Sequence, residues 1–151
     1  MRDVTSKDSQ KLLEWRNEPG IRKFSRSQGF ISKKSHSEWL GNRLKLIPEQ
    51  PFWIFENDLG IIGFIRFDLN LALLHFEISI VVDPKLRGKG FGRIILTHAV
   101  ETCLARNPGF NLYAEAHIEN LTSHLLFLKC GFQKCELKKD FLVFKRSANP
   151  N

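Results

Sequence analysis

Apolar residues recur at two spacings along this chain, and the two spacings alternate, which predicts an alternation of helices and strands. The clearest helical spacing begins at Phe91, where apolar residues return every three or four positions until Asn107-Pro108-Gly109 ends the pattern. Weaker helical patterns predict three more helices: Lys7 to Glu18, Ser35 to Leu46 and Leu121 to Lys129. Pro19-Gly20 is the predicted stop of the first, and Ser35 with Glu38 has the spacing of a capping box in the second.

Runs rich in aromatic and β-branched residues predict the strands. They are Arg2 to Val4, Phe52 to Glu56, Ile61 to Leu69, Leu73 to Val82, Phe110 to His117, Phe132 to Leu137 and Phe141 to Lys145. The helix that begins at Phe91 lies between two strands and is long enough to connect them in parallel. The order of elements therefore predicts an α/β fold with a mixed sheet.

The length of the chain, 151 residues, suits one domain with a substantial core. No repeat or linker divides the sequence, so we expect a single domain over residues 1–146 and a loose C-terminal tail over residues 147–151. Trp15 and Trp39 lie on the apolar sides of their helices and are expected in the core.

Composition excludes several classes of protein. With 42% hydrophobic residues the chain is too apolar to be disordered, and its apolar stretches are too interrupted to span a membrane. The net charge of +7 favours an anionic partner, but the basic residues form no run of five or six, so neither nucleic acid nor a membrane is expected to bind. A phosphorylated small molecule fits the charge equally well.

The cysteines indicate a reducing compartment. Cys103, Cys130 and Cys135 are an odd number without a C-x-x-C pair, and the first ten residues contain no apolar signal segment. We therefore expect a cytoplasmic protein without disulfides. His124 and Cys130 match no zinc spacing, so no metal site is expected.

A glycine-rich turn joins the strand that ends at Val82 to the helix that begins at Phe91. Gly88, Gly90 and Gly92 fall within five positions, which allows successive backbone N–H groups to converge on one anion beside the positive end of the helix. A flexible cap is the alternative, but glycines cost about 1 kcal/mol each at a helix start and basic residues flank them. The spacing fits neither a Walker loop nor a dinucleotide fingerprint.

Three residues of this turn, Arg87, Gly90 and Gly92, match the acyl-CoA signature Arg/Gln-x-x-Gly-x-Gly/Ala, and the chain resembles the GCN5-related N-acetyltransferases, the GNAT family. Ile80 to Pro84 precedes the turn as in family members, and Asn120 to Phe132 is similar to the family's Asn-x-x-Ala/Ser helix that ends in Gly-Phe. The resemblance covers nearly the whole chain. It implies a mixed sheet of six or seven strands with helices on both faces.

The resemblance further implies that the fourth and fifth strands, here Leu73 to Val82 and Phe110 to His117, are splayed to admit the thioester of acetyl-CoA. Amides from Leu86 to Arg93 would hold the CoA pyrophosphate, and the backbone from Ile80 to Val82 would pair with pantetheine. The residues implied at the cofactor are Ile80, Val81, Val82, Arg87, Gly88, Lys89, Gly90, Phe91, Gly92, Arg93, Asn120, Ser123 and Phe127.

Transfer of an acetyl group to an amine requires a proton acceptor and a donor to the oxyanion. Glu115 lies five residues before Asn120 and matches the glutamate that some family members use as base, while Glu77 matches a glutamate of another branch. A solvated surface role is the alternative for both. Many family members place a tyrosine acid where this chain has Phe127, so the catalytic acid stays unassigned.

The acceptor is indicated only by the first half of the chain. Leu12 to Pro19 is similar to the opening shared by the RimJ/RimL-like branch and by amino-sugar acetyltransferases of nonulosonic-acid (pseudaminic acid) biosynthesis, and Phe64 to Asp68 favours the latter. Those enzymes acetylate a 4-amino sugar carried on UDP. The expected acceptor-binding residues are Arg16, Asn17, Arg66 and Asp68, with Arg22 and Arg26 placed to meet a diphosphate.

Three alternatives remain for the function. A protein α-amino group is the second candidate acceptor, and a non-catalytic acyl-CoA-binding module is the third possibility, because Phe127 replaces the expected tyrosine. Purely structural roles are equally compatible with each acceptor residue taken singly. A homodimer is possible.

Overall fold

The computed structural model describes residues 1–148. Its strands are β1 (Arg2–Asp3), β2 (Phe52–Asn57), β3 (Gly60–Asn70), β4 (His75–Val82), β5 (Asn111–His117), β6 (Gln133–Lys138) and β7 (Phe141–Arg146). Its helices are α1 (Ser9–Asn17), α2 (Pro19–Lys23), α3 (Lys33–Leu44), α4 (Phe91–Arg106) and α5 (Leu121–Lys129).

The strands form one mixed sheet in the order β1-β2-β3-β4-β5-β7-β6. Neighbouring strands are antiparallel except for β4 and β5, which are parallel and joined by α4. The prediction of an α/β fold with a mixed sheet and a helical crossover is therefore confirmed.

Strands β4 and β5 separate part-way along their length. They pair only from His75 with Asn111 to Ile78 with Ala114. Beyond that point β4 continues alongside β3, and β5 continues alongside β7. This leaves a V-shaped gap between residues 79–82 and residues 115–117, which we call the cleft. The gap confirms the predicted splay of the two strands.

Helices cover the two faces of the sheet unequally. Helices α4 and α5 lie on one face over the main core, which includes Ile65, Phe76 and Leu96. On the other face a smaller core, including Leu12, Leu40 and Phe52, holds α1 and α3 against the β1–β3 side. The β4–β5 region of this second face stays open to solvent, and Glu77 there is 68% exposed. The open region lies directly beside the cleft.

Several boundaries differ from the predicted ones. Pro19-Gly20 does not stop a helix: α1 ends at Asn17, and Pro19 begins α2, where a missing N–H costs no helical hydrogen bond. Ser32, not Ser35, caps α3, because its hydroxyl accepts a hydrogen bond from the Ser35 amide. Strand β4 begins two residues late, at His75, after a turn over residues 71–74.

The two tryptophans expected in the core behave differently. Trp15 is buried, as predicted, whereas Trp39 is 39% exposed. The prediction for Trp39 is wrong because its ring forms a platform beneath the guanidinium of Arg66 at the surface.

The predicted C-terminal tail falls partly outside the described residues, since residues 149–151 are not described. The Ala148 amide donates a 3.4 Å hydrogen bond to Asn111 Oδ1. Among residues 1–148, no helix combines the length and the apolar character that a membrane crossing requires.

Candidate active site

The glycine turn forms a cradle of backbone N–H groups at the start of α4. Gly88 and Gly90 adopt left-handed conformations with φ of 76° and 84°. Within residues 1–148, no protein acceptor binds the amides from Gly88 to Gly92. A Cβ atom at Gly88 or Gly90 would meet nothing within 4 Å, so no neighbouring group crowds the turn at these two positions. Unpaired amides, an uncrowded turn and a helix N-terminus together suit a phosphate group.

Asp83 fixes the strand end from which this turn departs. Its carboxylate accepts hydrogen bonds from the Lys85 amide at 2.9 Å and Trp15 Nε1 at 3.2 Å, and it pairs with Lys11 at 3.0 Å. Burial alone would raise the pKa of Asp83, but these hydrogen bonds outweigh burial and hold the pKa below its usual value. Asp83 therefore ties the turn to α1 as an ionised carboxylate.

The charged and polar residues expected at the cofactor differ in how many protein partners their side chains have. Lys89 and Arg93 are exposed, and Arg87 Nη2 lies 3.8 Å from Glu18 Oε2 at the start of α2. Asn120 caps α5, where its Oδ1 accepts from the Ser123 amide at 3.2 Å. Its side-chain NH₂ group has no partner within residues 1–148 and is available to a ligand.

Phe127 is a buried residue of α5. It is 3% exposed and its ring packs against Phe132 and Phe144 in the main core. The helical period turns this position of α5 toward the sheet, and the expected contact of Phe127 with the cofactor stays a prediction.

The two candidate bases lie on the open face of the sheet. Glu115 is the first residue of β5 beyond the last β4–β5 pair, so it stands at the apex of the cleft, across from Ser79. Its Oε2 accepts a 2.6 Å hydrogen bond from Arg26 Nε, and Oε1 has no partner within residues 1–148. Glu77 lies at the closed end, in register with Tyr113, and its Oε1 is 3.6 Å from His75 Nε2.

Arg66 points toward the same apex from β3. Its Nη2 donates to Ser79 Oγ at 3.2 Å, its Nε donates to Asp68 Oδ2 at 2.8 Å, and the guanidinium lies 5.3 Å from the Trp39 ring centroid. The other oxygen of Asp68 is held at 3.2 Å by Arg43, a buried residue that also donates to three backbone carbonyls. Asp68 therefore orients Arg66, whose partly exposed guanidinium is placed to contact an acceptor.

The segment that joins α2 to α3, residues 24–32, crosses over the open face and is called the α2–α3 loop. Arg16 Nη2 donates to the Ser27 carbonyl at 2.7 Å, and Arg22 Nε donates to the Gln28 carbonyl at 2.9 Å. Asn17, expected to bind the acceptor, instead exchanges two 2.8 Å hydrogen bonds with the backbone of Ile31. These bonds use both ends of the Asn17 amide to fix the loop, and its expected contact with the acceptor stays a prediction.

The loop accepts a hydrogen bond from only one of the two terminal nitrogens of the Arg16 guanidinium. Its Nη1 is buried and has no hydrogen-bond partner within residues 1–148. Burial lowers the pKa of the Arg16 guanidinium from its usual value, and the positive charges of Arg22 and Arg66 lower it further. The charges of Arg22 and Arg66 thus disfavour the charged form of Arg16, an effect that a bound anion would offset.

A comparison with known families bears on this geometry. The model of the acetyltransferase (GNAT) family matches residues 10–132, which is most of the chain. The chain belongs to the acetyltransferase (GNAT) family. The splayed β4–β5 pair and the glycine turn before α4 are thus the GNAT features that the sequence motif indicated.

Individual relatives of this GNAT chain are distant. An uncharacterised N-acetyltransferase of Methanocaldococcus jannaschii is 26% identical over 153 residues, which cover 94% of this chain and 64% of that relative. A crystal structure of a domain from the same organism has a TM-score of 0.82 and 22% identity, with 97% of this chain and 96% of that one covered. The spermidine N-acetyltransferase of Vibrio cholerae, crystallised with CoA and spermine, has a TM-score of 0.80 and 19% identity, with 95% and 90% covered.

Three features of this GNAT site were missed in the sequence. Arg43 gave no signal beyond being a polar residue in the apolar stripe of α3. Ser79 is marked only by its alternation with Glu77. Gly63 was overlooked, although a Cβ there would collide with the Val81 carbonyl oxygen and lie 2.8 Å from Ile95 Cδ1.

Within residues 1–148, no three His, Cys, Asp or Glu side chains are grouped to hold a metal ion.

Proposed function

We propose that this chain is an acetyl-CoA-dependent N-acetyltransferase whose acceptor is the primary amine of an anionic small molecule, most specifically the 4-amino group of a UDP-linked amino sugar. The observations that carry the acceptor class are Arg66 at the cleft apex and Arg16, whose buried Nη1 has no hydrogen-bond partner within residues 1–148. We place Arg22 with them as part of the proposal. Membership of the amino-sugar branch of the family is part of the same proposal.

Cofactor binding is supported by the cradle and the cleft. Free amides from Gly88 to Gly92 would hold the pyrophosphate of CoA, and Asn120 is available from α5. Beyond Ile78, the edge of β4 that faces β5 has no strand partner, so its N–H and C=O groups are free to pair with the pantetheine arm. When bound, acetyl-CoA supplies an acetyl group whose C–S bond breaks as the amine nitrogen bonds to the acetyl carbon.

The chain's own residues would then handle the proton that the amine loses. Glu115 stands at the apex with one free oxygen, which suits it as the base, directly or through a water molecule. Glu77 is the second candidate base, one alternation closer to the closed end on the same face. A strand-end N–H of the β4 edge is the candidate donor to the developing oxyanion.

Charge favours an anionic acceptor over a polyamine. The Vibrio cholerae relative was crystallised with spermine, a polycation that needs unpaired carboxylates around it. Here Glu115 is paired with Arg26, and Asp68 is paired with both Arg43 and Arg66. Arg16 meanwhile keeps a buried, unpartnered Nη1. These charges would attract a diphosphate and oppose spermidine.

A binding experiment tests the cofactor half of this proposal. Acetyl-CoA at millimolar concentration is expected to raise the melting temperature, because a ligand that binds only the folded state stabilises it. The absence of any shift would count against the cofactor site.

An acetylation screen tests the acceptor half. The purified chain is assayed with acetyl-CoA against UDP-linked 4-amino sugars, peptides with free N-termini and spermidine, with release of the CoA thiol as the readout. We expect turnover with a UDP-amino sugar at the highest kcat/KM. A higher value for peptides would favour the protein α-amino alternative, and binding of acetyl-CoA without turnover of any amine would favour the non-catalytic module.

A further inference from the structure

Glu115, the candidate base, is engaged by a residue from the far end of the sequence. Arg26, on the α2–α3 loop, directs Nε and Nη2 at the same carboxylate oxygen, and its guanidinium also lies 4.7 Å from the ring centroid of Phe141 on β7. Acceptance of a proton by Glu115 would break this ion pair, so Arg26 opposes the step that Glu115 would perform.

The loop that carries Arg26 is held by two kinds of bond, of which one can be replaced by an anion. The two bonds between Asn17 and Ile31 would stay and hold the end of the loop next to α3. Two of its carbonyls, those of Ser27 and Gln28, accept from Arg16 and Arg22, the residues that we place at the acceptor's anionic group. A guanidinium bonds a phosphate more strongly than a neutral carbonyl, because both partners are then charged and the contact is bidentate. A phosphate at Arg16 and Arg22 would therefore loosen the loop.

We propose that Arg26 is a positioning residue that restrains Glu115 until an anionic acceptor binds. The acceptor's phosphate takes Arg16 and Arg22 from the loop carbonyls, the α2–α3 loop shifts, and Arg26 leaves Glu115, which then accepts the amine proton. This inference rests on the proposed function and adds to it a coupling between recognition of the anion and availability of the base.

The coupling gives the site a means of discrimination. An amine without a phosphate leaves the loop tied and Glu115 paired, so it meets a restrained base even when it reaches the cleft. Water meets the same restraint, which limits wasteful hydrolysis of acetyl-CoA while no acceptor is present. The second effect can be measured without knowing the natural acceptor.

The first test measures acetyl-CoA hydrolysis in the absence of any amine. In that reaction a water oxygen bonds to the acetyl carbon, the C–S bond breaks, Glu115 takes a water proton, and acetate and CoA leave. We expect Arg26→Ala to raise the hydrolysis rate about tenfold, a modest share of what a general base contributes. The double variant Arg26→Ala/Glu115→Gln should lose this rise, and Arg26→Lys should stay near the wild-type rate because it keeps the charge.

Lys23→Ala is the matched control, because Lys23 lies at the base of the same loop and pairs with Glu119, outside the proposed machinery. It should leave hydrolysis unchanged. An unchanged or lower rate in Arg26→Ala, or a rise that persists in the double variant, would overturn the proposal.

The second test uses inorganic pyrophosphate as the probe and hydrogen exchange as the readout. Acetyl-CoA is kept saturating, so that pyrophosphate does not displace it from the glycine cradle. Pyrophosphate should then speed amide exchange in residues 24–32 of the wild-type chain and raise its hydrolysis rate toward that of Arg26→Ala, with no further rise in the variant. Unchanged exchange in the loop would overturn the coupling. Neither test requires an amine, so a screen that finds no UDP-amino sugar substrate would refute the proposed acceptor and leave these readouts interpretable.

Discussion

The two sides of the cleft differ in the groups that they offer to a ligand: backbone amides on the cofactor side and side chains on the acceptor side. On the cofactor side, contacts would come from consecutive backbone amides between Gly88 and Gly92, within one short turn. On the acceptor side, contacts would come from side chains of α1, α2, β3 and β5, and the pair Arg26–Glu115 alone joins positions 89 residues apart. A backbone cradle depends on local conformation, whereas a side-chain cluster depends on how distant segments pack. The cofactor side should therefore be sensitive to backbone strain, and the acceptor side to single side chains.

Loss of one acceptor-side carboxylate should have the largest effect. Glu115→Gln keeps the size of the side chain but cannot accept the proton, so we expect kcat to fall roughly a hundredfold, with the Kd for CoA nearly unchanged. Steady-state kinetics and CoA titration measure the two quantities. Glu77→Gln is the paired variant, and a larger loss there would move the base to Glu77.

The second largest effect should come from backbone strain in the glycine turn on the cofactor side. Gly90→Val places a β-branched residue at φ 84°, which costs about 2 kcal/mol and distorts the adjacent amides, so the Kd for CoA should rise about 30-fold. Lys89→Ala changes only a side chain and should raise Kd by a few-fold at most. If calorimetry ranks these two variants in the opposite order, side-chain charge and not the backbone dominates the cofactor side.

A guanidinium on the acceptor side should have a smaller, selective effect. Arg66→Ala removes a charged hydrogen-bond donor at the apex, which is expected to raise the acceptor's KM about tenfold while the KM for acetyl-CoA stays the same. Lys34→Ala, an exposed change on α3, is the control. An unaltered acceptor KM would remove Arg66 from the site.

Asp83 links the two sides and gives the smallest predicted effect. Its pKa is lowered in the folded chain, so its contribution to stability is present above the unfolded pKa of about 3.9 and is lost as pH falls through the folded value. Asp83→Asn should destabilise the chain by about 1 kcal/mol at pH 7. Thermal melts should show this difference shrinking below about pH 4. A gap that stays constant with pH would show that the charge of Asp83 contributes nothing.

The predictions made from the sequence succeeded where local rules applied. Helix α4 ends one residue before the predicted stop at Asn107, and both strands of the cleft were identified to within two residues, because period and punctuation are local signals. The same local rules failed at Pro19, which begins a helix as readily as it ends one. The burial of Trp39 was predicted wrongly because the apolar spacing along a helix does not show which residues of other elements cover it.

The predictions of site residues also depended on whether a residue's role follows from its neighbours in the sequence or from distant segments. The roles expected of the glycine turn need only its own conformation, and within residues 1–148 that conformation leaves the amides from Gly88 to Gly92 without a protein acceptor. Asn17 and Phe127 carry no local sign of their fate: one is used to tie the α2–α3 loop and the other fills the core. The pairing of Arg26 with Glu115 could not be read from the sequence at all.

By itself the sequence determined the α/β fold, the parallel crossover and the location of the phosphate cradle, since each depends on residues close together in the chain. Only the tertiary structure decided that Arg66 lies at the cleft apex, that Asp68 orients Arg66, and that the loop residue Arg26 pairs with the candidate base. Side-chain contacts across long separations depend on the packing of α1–α3 over the sheet, and packing is set by the shapes of many residues at once.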